Sequence, residues 1–75
     1  MTINNYDFDG FTINLYVDEN GDWLCHFVEI PNISAFGDTP EEALIELQTA
    51  WEMVKEDFIA KGLEIPIAPR KLAYR

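Results

Sequence analysis

Residues 33–44, Ile33-Ser34-Ala35-Phe36-Gly37-Asp38-Thr39-Pro40-Glu41-Glu42-Ala43-Leu44, carry the change of backbone on which the fold depends. Ile33 to Phe36 predicts a short strand, closed by Gly37. Thr39-Pro40-Glu41-Glu42 then has the composition of a capping box: a hydroxyl at the N-cap and a glutamate three residues on. Proline sits at the first helical position, where its missing N–H costs nothing. Glu41 and Glu42 place negative charge in the first turn, beside the positive end of the helix dipole. Gly37, Asp38, Thr39, Pro40 and Glu42 are therefore a structural motif that turns a strand into a helix.

Beyond it, Leu44, Leu47, Trp51, Val54 and Phe58 recur at alternating three- and four-residue steps, with Ala43 and Ala50 beside them. This is one apolar stripe on an amphipathic helix. Gly62 after Lys61 supplies a C-terminal cap, so the pattern predicts a helix from about Pro40 to Lys61. Pro66 and Pro69 exclude a helical tail, and Ile65-Pro66-Ile67 has the composition of a short fourth edge strand. Arg70, Lys71 and Arg75 form a small basic tip.

On the amino-terminal side, Phe11 to Val17 alternates apolar and polar residues, as a half-buried strand does. Asp18-Glu19-Asn20-Gly21-Asp22 follows, and Asn20-Gly21 is a strong signal for a two-residue type I′ hairpin turn. Trp23 to Ile30 is the returning strand, rich in aromatic and β-branched residues. Pro31 ends it, and Asn32 suits a positive φ in the next turn. The expected fold is α+β: a three-stranded antiparallel sheet, one long helix on one face, and a short C-terminal strand, β-β-β-α-β. Residues 1–75 form a single domain.

A two-residue turn at Asn20-Gly21 pairs residues whose numbers sum to 41. Val17, Leu24, Leu15, His26, Ile13 and Val28 then share the face that the helix covers, with Phe11 and Ile30. The opposite face carries Tyr16, Trp23, Cys25 and Phe27. One helix covers one face of a small sheet, so these four are the expected partner or oligomer interface. The competing expectation is that the segment around Tyr6 and Phe8, or the tail, folds over them.

The bulk composition narrows the function. The 75 residues include 48% hydrophobic residues and a formal net charge of −9. A domain this small buries only about 60% of its unfolded surface, so association is an expected source of further stability. A lone Cys25 allows no internal disulfide, and with a single His26 no His/Cys metal cluster is expected. No cofactor is expected. Neither a signal peptide nor a long apolar span is visible, which points to a cytoplasmic chain without a membrane role. No Lys or Arg precedes Lys55. Such a surface repels phosphate backbones, excludes direct nucleic-acid binding by the body of the domain, and favours a basic partner.

A catalytic constellation is missing from the sequence. Cys25 and His26 are consecutive on a strand, point to opposite faces and form no thiolate–imidazole pair. Cys25 reads as a small apolar filler and His26 as a partly buried strand residue. Asp7 and Asp9 lie two apart without a third acid at fixed spacing, and read as a solvated loop. Asp18, Glu19 and Asp22 surround a turn, where acids are ordinary. No phosphate cradle or nucleophile motif occurs. The chain is expected not to be an enzyme.

One run of residues resembles a known family. Val28-Glu29-Ile30-Pro31-Asn32, then Ser34-Ala35-Phe36, then Gly37-Asp38-Thr39-Pro40-Glu41-Glu42-Ala43-Leu44 is similar to the pattern of HicB-like antitoxins. The helix length and the exit from Gly62 to Pro66 also fit, so the resemblance spans nearly the whole chain. It implies a partial ribonuclease-H-like fold without nuclease chemistry, assembled as a homodimer or tetramer. It also implies a small basic HicA-type toxin, which cleaves RNA, as the partner that this domain binds and covers. Asn32 stands where the family commonly has glycine. Many relatives carry a C-terminal helix-turn-helix or ribbon-helix-helix domain; too few residues follow this helix for either, so promoter binding is not expected. The alternative reading is a stand-alone oligomeric adaptor of the same fold with no toxin.

Overall fold

A computed structural model describes residues 6–69. The chain runs β1 (Ile13–Val17), β2 (Trp23–Phe27), β3 (Ser34–Gly37) and α1 (Pro40–Ala60). The strands form one antiparallel sheet in the order β1-β2-β3. The α+β architecture expected from the sequence is present. The described tail, residues 63–69, contains no strand, so the fourth strand at Ile65-Pro66-Ile67 does not form. Pro66 and Pro69 remove two ladder donors from that segment. The basic tip at Arg70, Lys71 and Arg75 lies outside the described residues.

The helix begins as the sequence predicts. Thr39 is the N-cap, with extended backbone, and its hydroxyl oxygen accepts from the Glu42 N–H at 3.1 Å. The Glu42 carboxylate reaches back one residue further than a capping box requires, accepting from the Asp38 N–H at 3.0 Å. At the other end Gly62, with φ of 73°, lets its N–H bond to the Ile59 carbonyl, while Leu63 donates to Phe58 at 2.8 Å. This is a Schellman cap, and it satisfies carbonyls that the helix leaves open. Asp57 and Lys61, four residues apart on the helix, pair at 3.1 Å.

The hairpin differs from expectation by one residue. Ile13 faces Phe27, Leu15 faces Cys25 and Val17 faces Trp23, so paired residues sum to 40 rather than 41. Asn20-Gly21 does not make the type I′ turn. Instead Gly21 donates to the Asp18 carbonyl at 3.1 Å, and only Gly21 in the loop has positive φ, 88°. A type I turn closed by a left-handed glycine is a three-residue loop with a bulge. Asp18 secures it: its carboxylate accepts from Asn20 N–H at 2.8 Å and Asp22 N–H at 3.0 Å. Asn32 likewise takes no positive φ; the turn after β2 closes with Ile33 donating to Ile30 at 2.9 Å.

Because side chains alternate along a strand, the one-residue change leaves β1 facing as expected and reverses the face that each β2 residue occupies. The helix therefore covers Ile13, Leu15, Trp23, Cys25, Phe27 and Ala35. Ala43, Leu47 and Trp51 close the core from the helix side, with Phe11 and Ile33 completing it. Phe11 stacks on Phe27 at 4.9 Å, and Trp51 meets both rings edge-on at 5.3 and 5.1 Å. Phe8 also packs edge-on against Phe27, at 5.7 Å. The amino-terminal segment thus folds over the helix-covered face of the sheet. Its route is set by a type I′ turn at Asp9-Gly10, with φ of 53° and 88° and a Phe11 N–H to Phe8 carbonyl bond of 3.0 Å.

Candidate interaction surface

The register corrects the expected interface. Cys25 and Phe27 are completely enclosed beneath α1, and Trp23 is half-buried against the same core. These three do not present a surface to a partner. Of the four residues expected there, Tyr16 alone is on the open face, 44% exposed. The physical cause is the extra residue in the hairpin loop, which shifts β2 against β1 and turns the odd-numbered positions of β2 inward. Sequence reasoning placed Leu24 and His26 under the helix; both are on the open face.

The open face consists of Asn14 and Tyr16 on β1, Leu24 and His26 on β2, and Ser34 and Phe36 on β3. Tyr16 and His26 meet edge-on at 6.3 Å. Phe36 is 67% exposed, although it belongs to a strand that the helix clasps from behind. Its exposure follows from its neighbour. Gly37 lies so close to the first turn of α1 that a Cβ there would approach the Ala43 nitrogen to 2.7 Å and the Glu42 Cβ to 2.8 Å. With Gly37 facing the helix, Phe36 faces away from it. A hydrophobic aromatic, which sequence patterning assigned only to a short strand, becomes the most exposed large side chain of the sheet.

Among the described residues no further strand pairs with the outer edge of β3. The Phe27 N–H bonds to the Ile33 carbonyl at 3.1 Å, so residues 33, 35 and 37 direct their polar backbone groups toward β2. By the alternation of an antiparallel ladder, Ser34 and Phe36 direct theirs outward. Two concavities follow this edge. One, of about 620 Å³, lies among Tyr16, Leu24, His26, Ser34, Phe36 and the helix residues Glu46 and Ala50. The other, of about 350 Å³, lies among Phe36, Gly37, Asp38, Glu42, Ile45 and Glu46. Phe36 and Glu46 belong to both, so a continuous groove runs along the strand.

The groove is negative. Asp38, Glu42 and Glu46 line it, and among the described residues no lysine or arginine does. The described lysines sit at the carboxyl half of α1. Lys55 donates to the Asp9 carboxylate at 2.9 Å and pairs with Glu52 at 3.2 Å. The same Asp9 oxygen accepts from the Trp51 indole at 2.7 Å. The lysine bond, and then the indole bond, hold the Asp9 carboxyl below its ordinary range, and Asp9 in turn raises the Lys55 ammonium. Asp9 is therefore an exposed turn residue, as its sequence suggests, that also serves as acceptor for the buried Trp51 indole. Asp7 supports the same turn by accepting from the Asp9 N–H at 3.0 Å. Among the described residues no three His, Cys, Asp or Glu side chains converge as a metal would require.

Cys25 offers no nucleophile. Burial pushes its thiol up, and the Sγ lies 3.2 Å from the Ala43 carbonyl, inside the sheet–helix junction. His26 points to the other face, as strand alternation demands. Glu29 joins the strand ends instead of a site: its carboxylate accepts from the Thr12 N–H at 2.9 Å and the Thr12 hydroxyl at 2.8 Å. Among the described residues no helix is long and apolar enough to cross a membrane. No protein-family model, curated protein or solved structure matches this chain.

Proposed function

We propose that this chain is a non-enzymatic, antitoxin-like binding domain that neutralises a small basic HicA-type RNA-cleaving toxin by direct contact. The observation that carries this reading is the ordered run from Val28 to Leu44, with its hydrophobic-acidic-hydrophobic-proline step and its Gly37-Asp38-Thr39-Pro40-Glu41-Glu42-Ala43 strand-to-helix motif. Any single residue of that run serves local structure; the combination in order is what resembles HicB-like antitoxins. Two physical features support it. The net charge of −9 favours a basic partner, and the uncovered sheet face leaves Tyr16, Leu24 and Phe36 for contact.

The test is co-expression with any small protein encoded beside this chain, affinity purification, and mass determination of the complex. A stable complex with a basic protein, whose RNA cleavage stops when this chain is added, is the expected result. Recovery of a homo-oligomer alone would overturn the reading in favour of a stand-alone oligomeric adaptor.

A further inference from the structure

We propose that the outer edge of β3 is a strand-addition site for an extended basic segment of a partner protein, with an apolar side chain packing on Phe36 and a lysine or arginine reaching Glu46. The proposal rests on the binding-domain reading above for its partner, and adds the surface and the mode of contact. Three features converge on this edge. The outward N–H and C=O groups of Ser34 and Phe36 have no strand partner among the described residues, and an unpaired edge is a template for another strand. Phe36 projects from the same position into a groove, with the short side chain of Ser34 two residues away on that face. Two shallow concavities continue past the strand to Ile45, Glu46 and Ala50 on α1, alongside the path of an added backbone.

Charge selects the occupant. A second copy meeting this edge through a two-fold axis would set the same patch against itself. Asp38, Glu42 and Glu46 would then oppose their own equivalents, with no lysine or arginine among the described lining residues to offset them. A basic segment meets the acids with opposite charge while its backbone completes the sheet. Side-chain alternation gives such a segment a pattern: apolar residues on the Phe36 face and cationic residues toward the helix wall.

The test uses the full chain and an acetylated peptide of alternating lysine and valine, about six residues long, the usual length of a strand. A matched glutamate–valine peptide is the control. Backbone amide spectra should shift at Ser34 and Phe36 with the lysine peptide and not with the control. Phe36→Pro removes the outward N–H and the ring while leaving the bonds to β2; Glu46→Lys reverses the charge on an exposed helix position. Each should weaken peptide binding roughly ten-fold or more. Because Glu46→Lys leaves the strand untouched, it decides the matter if Phe36→Pro fails to fold. Equal binding of the two peptides, or shifts confined to other surfaces, would overturn the proposal. So would self-association that Phe36→Pro abolishes, since the occupant would then be a second copy. If the basic neighbour binds wild type and both variants alike, the β3 site is wrong and the antitoxin-like reading stands. If no basic neighbour is recovered but the lysine peptide docks at β3 as described, the site stands and that reading falls.

Discussion

Asp9 does at one position what two separate devices usually do. Its backbone takes the left-handed conformation, which aspartate tolerates better than most residues, and so turns the amino-terminal segment back across the sheet. Its carboxylate then satisfies the indole N–H of the buried Trp51 and pairs with Lys55. Asp9→Asn keeps the turn and removes the charge. Its expected cost is about 1 kcal/mol, because the carboxylate is partly exposed and screened by solvent. The sign of the pH dependence follows from the lowered folded-state pKa. The contribution is present above the ordinary carboxylate value of about 3.9 and is lost as pH falls through the folded value. Urea melts should therefore show a constant gap between wild type and Asp9→Asn near neutral pH, closing under acid. A gap that widens on acidification would contradict the charge pairing. Gly37 makes a second residue-scale case, through space rather than φ. A methyl group there meets backbone and the Glu42 Cβ, which cannot move aside without displacing the first turn of α1. Gly37→Ala should cost roughly 1–3 kcal/mol by overpacking, measured by thermal or chemical denaturation.

At the scale of elements, what was legible in the sequence was what depends on nearby residues. The helix start, stripe and Schellman cap are all read within a few positions of Thr39, Trp51 and Gly62, and the structure has each of them. The hairpin was legible as a hairpin but not in register, because Asn20-Gly21 belongs equally to two turns. Asp18 decided between them: aspartate at the first position of a type I turn with glycine at the fourth is the alternative pattern. That one choice sent Cys25 and Phe27 inward and Leu24 outward, and with them most of the expected interface. The pairing of Asp9 with Trp51 was not legible, since it joins residues far apart in the chain and no local pattern encodes it. The loop itself is testable. Gly21 alone takes positive φ, so Gly21→Ala should cost about 1–2 kcal/mol, the penalty of a left-handed backbone with a Cβ. Asn20→Ala should change stability by no more than about 0.5 kcal/mol. Equal, large losses at both positions would restore the type I′ turn, which needs positive φ at each.

For the whole molecule, the division between fold and surface runs through the sheet. The helix side holds the aromatic cluster of Phe8, Phe11, Phe27 and Trp51, while the other side holds Tyr16, Leu24 and Phe36, with no helix of the described residues over them. Two phenylalanines on adjacent strands thus have opposite duties, and their substitutions separate stability from binding. Phe27→Ala empties a site at the centre of the core, and should destabilise by roughly 3–5 kcal/mol, as should Trp51→Ala. For a domain this small, that loss is comparable to the entire folding free energy, so both variants should be largely unfolded at ambient temperature. Phe36→Ala removes a ring that is mostly in solvent, and should leave the melting curve within about 0.5 kcal/mol of wild type. Its effect belongs instead to the complex with a basic partner, where the exposed ring is lost as an anchor and affinity should fall roughly ten-fold or more. Salt provides the complementary measurement. With acids lining the groove, the association rate should drop at least about ten-fold between dilute and high salt, while dissociation follows the loss of Phe36. A Phe36→Ala protein that melts early yet binds normally would mean that the ring supports the fold and that the partner uses another face.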